Sequence, residues 1–305
     1  MAHPDAPPFR ERHYTAQDGL RLYFRDYGVE RTGAVPVLCL GGVTRNSKDF
    51  HGLALKMSAE RRVVCPDYRG RGRSAYDPDW RNYHARTYLD DIRHLLVSLD
   101  MHRVAVIGTS LGGILAMGMG AAMPTVLKGA LLNDIGPALQ PESLAPIVAY
   151  MSDARTMPSL AAAADRLKAT FPHLPAKTPE DWLRIAANTY REEPDGTFRF
   201  DWDPAVVKPL LRAKPQPIDL WPLFRSLKRI PVLAVRGALS SILTEATFRR
   251  MGEDMPCLAR VTVPGVGHVP SLSEPEAQDA IRRWLATVDK TARDVTPANA
   301  GVQTI

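Results

Sequence analysis

Residues 104–118, VAVIGTSLGGILAMG, decide the fold. The apolar run 104–107 is typical of a strand that is covered on both faces, and residues 110–118 begin a helix. At the junction, residues 108–112 read GTSLG, which has the form G-x-S-x-G, where small residues flank a serine at a strained turn. Such a turn projects the serine hydroxyl above the sheet, beside helix amides that stabilise negative charge. The stretch therefore predicts that Ser110 is a nucleophile.

Short apolar runs without polar alternation recur on both sides of this stretch, and amphipathic segments of helical period separate them. Such runs are typical of the strands of a parallel sheet. They occur at residues 36–40, 62–65, 104–107, 130–132, 232–235 and 261–263. The alternation of strand and helix predicts an α/β fold with helices on both faces of the sheet. An alternating segment around the turn at 17–19 predicts an N-terminal β-hairpin.

The strand–helix alternation is interrupted between residues 137 and 228. This region has helical periodicity but no run typical of a buried strand, so we expect a mainly helical insertion between two strands of the sheet. The core of the fold would then comprise residues 1–136 and 229–288. Residues 289–305 lack periodicity, and we expect a mobile tail there.

The composition is that of a soluble globular protein, with 45% hydrophobic and 24% charged residues among 305. The positive charges behind the net charge of +6 are scattered among acids, so nucleic acid is not an expected partner. The N-terminus has no apolar signal-peptide core, and no apolar run is long enough to span a membrane. Cys39, Cys65 and Cys257 form no metal-binding or disulfide pattern. We therefore expect a cytoplasmic protein without a metal or cofactor.

A serine hydroxyl needs a general base to act as a nucleophile. Among the eight histidines, His268 is the candidate, because its loop follows the apolar run 261–263 and precedes the last helical segment. Open α/β sheets build their sites at the carboxyl ends of such strands. We therefore expect His268 to lie beside Ser110.

The G-x-S-x-G turn also predicts where an oxyanion hole would form. One donor is expected from the backbone amide of Leu111, directly after the nucleophile. The second donor is expected from the loop after the run 36–40, where Gly41 and Gly42 allow a close approach of the backbone and Val43 supplies the amide.

These segments together resemble the α/β-hydrolase fold superfamily, in particular its small bacterial members with a helical cap, over about residues 12–288. The resemblance rests on LCLGGVTRNSKDF (38–50), CPDYRGRGRS (65–74), VIGTSLGG (106–113), LLNDIGP (131–137) and PGVGHVPSLSEPEA (264–277). It implies a mostly parallel eight-stranded sheet, a cap formed by residues 137–228, and a serine hydrolase of the esterase or lactonase type. Family members often have His-Gly where this chain has Gly41-Gly42, a difference that leaves the backbone donor in place.

The resemblance also implies an acidic partner that orients the histidine and stabilises its charged form. Family members most often carry it where this chain has Ser241. Glu245 lies nearby, but its place in the first turn of a helix favours an exposed role. Asp134 follows the strand that comes after the helix at the G-x-S-x-G turn. Haloalkane dehalogenases and cofactor-independent dioxygenases of this fold place their acid at this position. We therefore predict Asp134 as the acid; the alternative is an impaired protein that lacks the charge at residue 241.

These residues predict hydrolysis of a carboxylic ester or lactone through an acyl-enzyme on Ser110. Three alternatives stay open: a C–C bond hydrolase of ring-cleavage products, a cofactor-free oxygenase on the same scaffold, and a non-catalytic ligand-binding homologue. Arg45, beside the predicted oxyanion loop, could bind a substrate carboxylate. The oligomeric state stays open between a monomer and a homodimer.

Overall fold

The computed structural model describes residues 8–214 and 216–294. Twelve strands lie within these ranges, and eight of them form the central sheet. The strands are β1 Arg10–Thr15, β2 Arg21–Tyr27, β3 Val37–Leu40, β4 Val63–Pro66, β5 Val104–Thr109, β6 Leu127–Asn133, β7 Ala138–Leu139, β8 Tyr190–Glu192, β9 Phe198–Phe200, β10 Ile218–Asp219, β11 Val232–Gly237 and β12 Ala259–Val263. The α-helices are α1 His51–Ser58, α2 Ala85–Ser98, α3 Leu111–Ala122, α4 Pro141–Ser152, α5 Leu160–Thr170, α6 Pro179–Thr189, α7 Lys208–Arg212, α8 Trp221–Arg225, α9 Glu245–Asp254 and α10 Pro275–Asp294.

The central sheet has the order β1-β2-β4-β3-β5-β6-β11-β12. Its first two strands form the predicted antiparallel hairpin, and β2 also pairs antiparallel with β4. From β4 to β12 every pair of neighbours is parallel. This arrangement confirms the predicted α/β-hydrolase fold with a mostly parallel eight-stranded sheet.

Strand β5 shows why its sequence has no polar alternation. Val104 and Val106 pack into the core on one face of the sheet, and Ala105 and Ile107 pack into a second core on the other face. Helices α2 and α3 contribute to the first core, and α1 and α10 contribute to the second. A strand between two helical layers has no face in contact with water, so apolar residues occupy every position.

Parallel strands β5, β6, β11 and β12 all end at the same edge of the sheet. The loops that follow these strands therefore meet above that edge. They carry Ser110, Asp134, Ser240 and His268, which lie up to 158 residues apart in sequence. The fold thus collects polar side chains from four separate loops into one place.

Residues 137–228 lie between β6 and β11 and contain helices α4 to α8. The two-residue strands β7 and β10 pair with each other where the chain leaves the core and where it returns. Strands β8 and β9 form a short hairpin between α6 and α7. The two small sheets were not predicted from the sequence, because each of their strands has only two or three residues.

The carboxyl-terminal helix is longer than we predicted from the sequence. Helix α10 extends to Asp294, so residues 289–294 are helical and do not belong to a tail. Its Asp289 side chain binds Arg61 at 2.9 Å and accepts a hydrogen bond from the Val35 amide, which fixes this turn to the core. The rest of the predicted mobile tail, 295–305, lies outside the described residues. Over the parts of the chain that are described, each helix is too short or too polar to cross a membrane.

Candidate active site

Ser110 occupies a strained turn between β5 and α3. Its φ of +51° lies in the left-handed region, which a residue with a side chain rarely adopts. The two flanking glycines are required by close packing: a Cβ at Gly108 would overlap the Gly112 carbonyl, and a Cβ at Gly112 would overlap the Leu40 carbonyl. The local sequence therefore holds the Ser110 hydroxyl at the edge of the sheet and at the N-terminus of a helix.

The structure brings Ser110, His268 and Asp134 into one chain of polar contacts. His268 Nε2 lies 3.0 Å from Ser110 Oγ, and His268 Nδ1 lies 2.7 Å from Asp134 Oδ2. The His268 side chain is 16% exposed, whereas the Asp134 side chain is fully buried. An ionised carboxylate can only accept hydrogen bonds, so the Nδ1 atom carries the proton and Nε2 presents a lone pair to the serine.

Asp134 is held by two further donors. The Gly237 amide donates to Oδ1 at 2.7 Å, and the Ser240 hydroxyl donates to Oδ2 at 2.5 Å. The same hydroxyl oxygen accepts hydrogen bonds from the amides of Ile242 and Leu243, each at 3.1 Å. These donors compensate the cost of burying a carboxylate and fix its position beside the histidine.

The serine that contacts Asp134 is Ser240, the residue before the position at which family members were expected to carry their acid. Ser241 is exposed, whereas Ser240 is buried against Asp134. Glu245, the other acid that we considered, is 68% exposed and pairs with Arg236 at 3.0 Å. The sequence did not single out Ser240, because a loop of this kind has no periodicity that reports which side chain points inward.

Asn133 connects the turn at Ser110 to the loop that carries His268, a role that was not predicted from the sequence. Its side-chain amide donates to Thr109 Oγ1 at 3.1 Å and to the Pro270 carbonyl at 2.9 Å. Its backbone carbonyl accepts a hydrogen bond from the Ser110 amide at 3.0 Å. One residue of β6 therefore contacts both loops that carry the serine and the histidine, and its position directly before Asp134 was the only signal in the sequence.

The loop after β3 runs beside the nucleophile. A Cβ built on Gly42 would lie 3.8 Å from the Ser110 Cβ. Among the described residues, the amides of Val43 and Leu111 donate no hydrogen bond to the protein. Two backbone donors at the predicted positions are therefore available to a ligand.

Arg71 stabilises the loop after β3 through a hydrogen bond to its backbone. Its fully buried guanidinium donates to the Val43 carbonyl at 2.9 Å, to the Tyr88 hydroxyl at 2.8 Å and to the Arg69 carbonyl at 2.8 Å. The first of these bonds restrains the peptide group between Val43 and Thr44. The sequence did not indicate this role, since Val43 and Tyr88 come from other segments of the chain.

Arg45 lies in the wall of the cavity above Ser110, but its partners differ from the prediction. Its Nε and Nη2 atoms donate to the two carboxylate oxygens of Asp49 at 2.5 Å and 2.7 Å, and Nη1 donates to Thr189 Oγ1 at 2.5 Å. Burial opposes the charged form of Arg45, but the Asp49 carboxylate raises the pKa of Arg45 above its ordinary value. These bonds use three of the five N–H groups of the guanidinium, so a substrate carboxylate at the predicted site would compete with Asp49 for this side chain.

A cavity of about 240 Å³ opens above Ser110 between the core and residues 137–228. The core contributes Ser110, His268 and the loop after β3. Helices α4 and α5 contribute Ile147, Tyr150 and Leu167, and α6 contributes Ile185 together with the polar side chains of Arg184, Asn188 and Thr189. No group of three or more histidine, cysteine, aspartate or glutamate side chains within the described ranges is arranged to hold a metal ion.

The chain matches the model of the alpha/beta hydrolase family over residues 37–280. It therefore belongs to this family, and it is a hydrolase.

Individual relatives agree with this assignment. The chain is 33% identical to the 3-hydroxybutyrate-oligomer hydrolase of Cupriavidus necator, with 86% of this chain and 91% of the relative aligned. It is 28% identical to the 2-(acetamidomethylene)succinate hydrolase of Mesorhizobium japonicum over 81% of this chain and 87% of that protein. The crystal structure of an alpha/beta hydrolase from Novosphingobium aromaticivorans superposes with a TM-score of 0.87 at 39% identity, covering 92% of this chain and 99% of that one.

Proposed function

We propose that the protein is a serine hydrolase that cleaves a carboxylic ester or lactone through an acyl-enzyme on Ser110. The observation that carries this proposal is the continuous contact from Ser110 Oγ through both ring nitrogens of His268 to Asp134 Oδ2. This order of nucleophile, base and acid is the arrangement that activates a serine hydroxyl. The similarity to a 3-hydroxybutyrate-oligomer hydrolase, whose name denotes ester cleavage, supports the ester as the bond attacked.

In the first half of the reaction, Ser110 Oγ attacks the ester carbonyl carbon while His268 Nε2 takes the hydroxyl proton. The carbonyl oxygen becomes an oxyanion, which the amides of Val43 and Leu111 stabilise. Asp134 stabilises the imidazolium that forms. When the tetrahedral intermediate collapses, the bond to the leaving oxygen breaks, His268 donates its proton to that oxygen, and the acyl group remains on Ser110.

In the second half, water replaces the alcohol. His268 Nε2 removes a proton from the water molecule, whose oxygen attacks the acyl carbon. The second tetrahedral intermediate collapses as the proton returns to Ser110 Oγ. The products are a carboxylic acid and the regenerated serine. A lactone would follow the same steps, with the leaving hydroxyl still attached to the acyl group.

We also propose that residues 137–228 act as a cap that limits the acyl group. The support for this role is that three helices of the segment line the cavity directly above Ser110. Apolar side chains in the wall of this cavity favour acyl groups with apolar surface, because binding removes that surface from water.

The proposed function is tested with a panel of p-nitrophenyl esters and lactones of increasing acyl length. We expect turnover by the wild-type protein and none above background by Ser110→Ala. Folding of the variant is checked by its thermal unfolding midpoint. Equal turnover by the two proteins would exclude Ser110 as the nucleophile.

A further inference from the structure

We propose that the cavity selects esters with uncharged acyl groups and that Asp49 sets this preference by neutralising Arg45. The inference rests on the proposed function of Ser110 and adds the class of substrate. It reverses the expectation that Arg45 binds a carboxylate.

The Arg45–Asp49 pair is built into the cavity wall. Both carboxylate oxygens of Asp49 accept hydrogen bonds from Arg45, and both residues line the cavity with Ser110. The two side chains are only 22% and 26% exposed, so the pair is partly shielded from water. A charged pair with this bidentate geometry is stronger than an ordinary surface ion pair.

Contacts with helix α6 hold the pair in place from the opposite side. Thr189 accepts a hydrogen bond from Arg45 Nη1 and donates its own hydroxyl proton to the Ile185 carbonyl at 2.7 Å. The Asn188 side chain donates to Asp49 Oδ1 at 3.2 Å. These bonds use three of the five N–H groups of Arg45, and both carboxylate oxygens of Asp49 have donors, so the pair is held in place without a ligand.

The other arginine in the cavity lining is also neutralised. Arg184 is 64% exposed at the rim and binds Asp181 at 2.6 Å. Within the described part of the chain, each arginine that lines this cavity is therefore paired with a carboxylate. The rest of the wall includes the uncharged polar side chains of Tyr150, Asn188 and Thr189 and the apolar side chains of Ile147, Leu167, Phe171, Leu174 and Ile185.

An anionic acyl group would be disfavoured in this cavity. It would lose water without gaining an unpaired cation, because Arg45 already binds Asp49. The Arg45–Asp49 pair has no net charge, so it gives the anion no net attraction. An uncharged alkyl group avoids this loss of hydration and gains from burial against the apolar side chains of the wall.

The preference is measured with two esters whose acyl chains have equal length, p-nitrophenyl hexanoate and the p-nitrophenyl half-ester of adipic acid. We expect wild-type kcat/KM to be higher for the hexanoate by about tenfold or more, since a carboxylate that loses water without gaining a partner weakens binding by at least that order. Equal values, or a higher value for the half-ester, would overturn the proposal.

The role of Asp49 is tested with Asp49→Asn, which keeps the size of the side chain and frees the charge of Arg45. We expect the ratio of kcat/KM values to shift about tenfold towards the half-ester. The double variant Asp49→Asn/Arg45→Gln should lose that shift, because the freed guanidinium is gone. An unchanged ratio in Asp49→Asn would contradict the assignment.

Asp201→Asn is the matched control. Asp201 pairs with Lys48 at 2.8 Å in the same region between the loop after β3 and residues 137–228, but neither residue is in the cavity lining defined by the described chain. Asp201→Asn removes one negative charge, as Asp49→Asn does. An equal shift of the kcat/KM ratio in this control would mean that the net charge of the region causes the preference, and the proposal for Asp49 would be wrong.

A binding experiment separates failure of this inference from failure of the proposed function. Ser110→Ala is mixed with methyl hexanoate or with monomethyl adipate, and its thermal unfolding midpoint is measured. We expect a rise with the uncharged ester alone, whether or not the wild-type protein shows turnover. A rise with monomethyl adipate that equals or exceeds that with methyl hexanoate would contradict the preference even if Ser110 is catalytic.

Discussion

Replacing Asp134 by asparagine should remove most of the activity and leave the fold in place. The side chain is fully buried, and its two oxygens accept hydrogen bonds from Gly237, Ser240 and His268. Asparagine has nearly the same size, so packing is preserved. It has only one acceptor oxygen, however, whereas all three neighbours present donors to this side chain.

Either orientation of the new amide disrupts the contact with a donor. If its NH₂ group replaces Oδ2, it faces the Ser240 hydroxyl and His268 Nδ1. Nδ1 must then accept a hydrogen bond, so the ring proton lies on Nε2, which can no longer take the proton of Ser110. If the NH₂ group replaces Oδ1, it faces the Gly237 amide, and the imidazolium loses its charged partner. In serine triads such a change lowers kcat about 10⁴-fold, which corresponds to about 5 kcal/mol of activation free energy.

The assay is steady-state hydrolysis of p-nitrophenyl butyrate, with thermal unfolding as the check on folding. The matched control is Glu245→Gln, which removes a nearby charge from an exposed side chain and should leave kcat within about twofold, as expected for a surface ion pair. A folded Asp134→Asn protein with kcat within tenfold of wild type would refute the assignment of the acid.

Three further predictions follow from neighbouring contacts. Adding Ser240→Asp to Asp134→Asn should restore part of the lost kcat, because the Ser240 side chain already reaches the carboxylate; an unchanged kcat would contradict this geometry. Ser241→Asp in the same background should restore nothing in the same assay, because Ser241 is exposed. The Lys177 amide and Arg184 lower the pKa of Asp181 from 3.8 to about 2, so its stabilising effect should be full above pH 3.8 and lost as the pH falls towards 2. Unfolding midpoints measured from pH 5 to pH 2 should fall less steeply for Asp181→Asn than for wild type, and equal slopes would exclude this contribution.

The elements that the sequence predicted best are those whose information is local. The elbow around Ser110 has a strand, a strained turn and a helix within residues 104–118, and the parallel strands have continuous apolar runs. The resemblance then implied that these strands form a mostly parallel eight-stranded sheet. The short hairpin of β8 and β9 was missed because three-residue strands leave no measurable period.

The polar contacts of the site could be predicted only in part, because they join distant segments. The contact between Asp134 and His268 spans 134 residues, and the sequence indicated only that both follow strands of one sheet. The partners of Arg45 depend on where α6 docks on the core, and no pattern in either segment reports that docking. For the same reason Arg45 was predicted to bind a substrate carboxylate, although Asp49, four residues later, pairs with it.

In the proposed mechanism, Ser110 carries an acyl group during turnover. Mass spectrometry of the protein after acid quenching during hydrolysis of p-nitrophenyl butyrate, followed by peptide mapping, tests this step. We expect a single butyryl adduct on the peptide that contains Ser110, and no adduct in Ser110→Ala. Turnover without an adduct, together with retained turnover in Ser110→Ala, would rule out Ser110 as the residue that carries the acyl group.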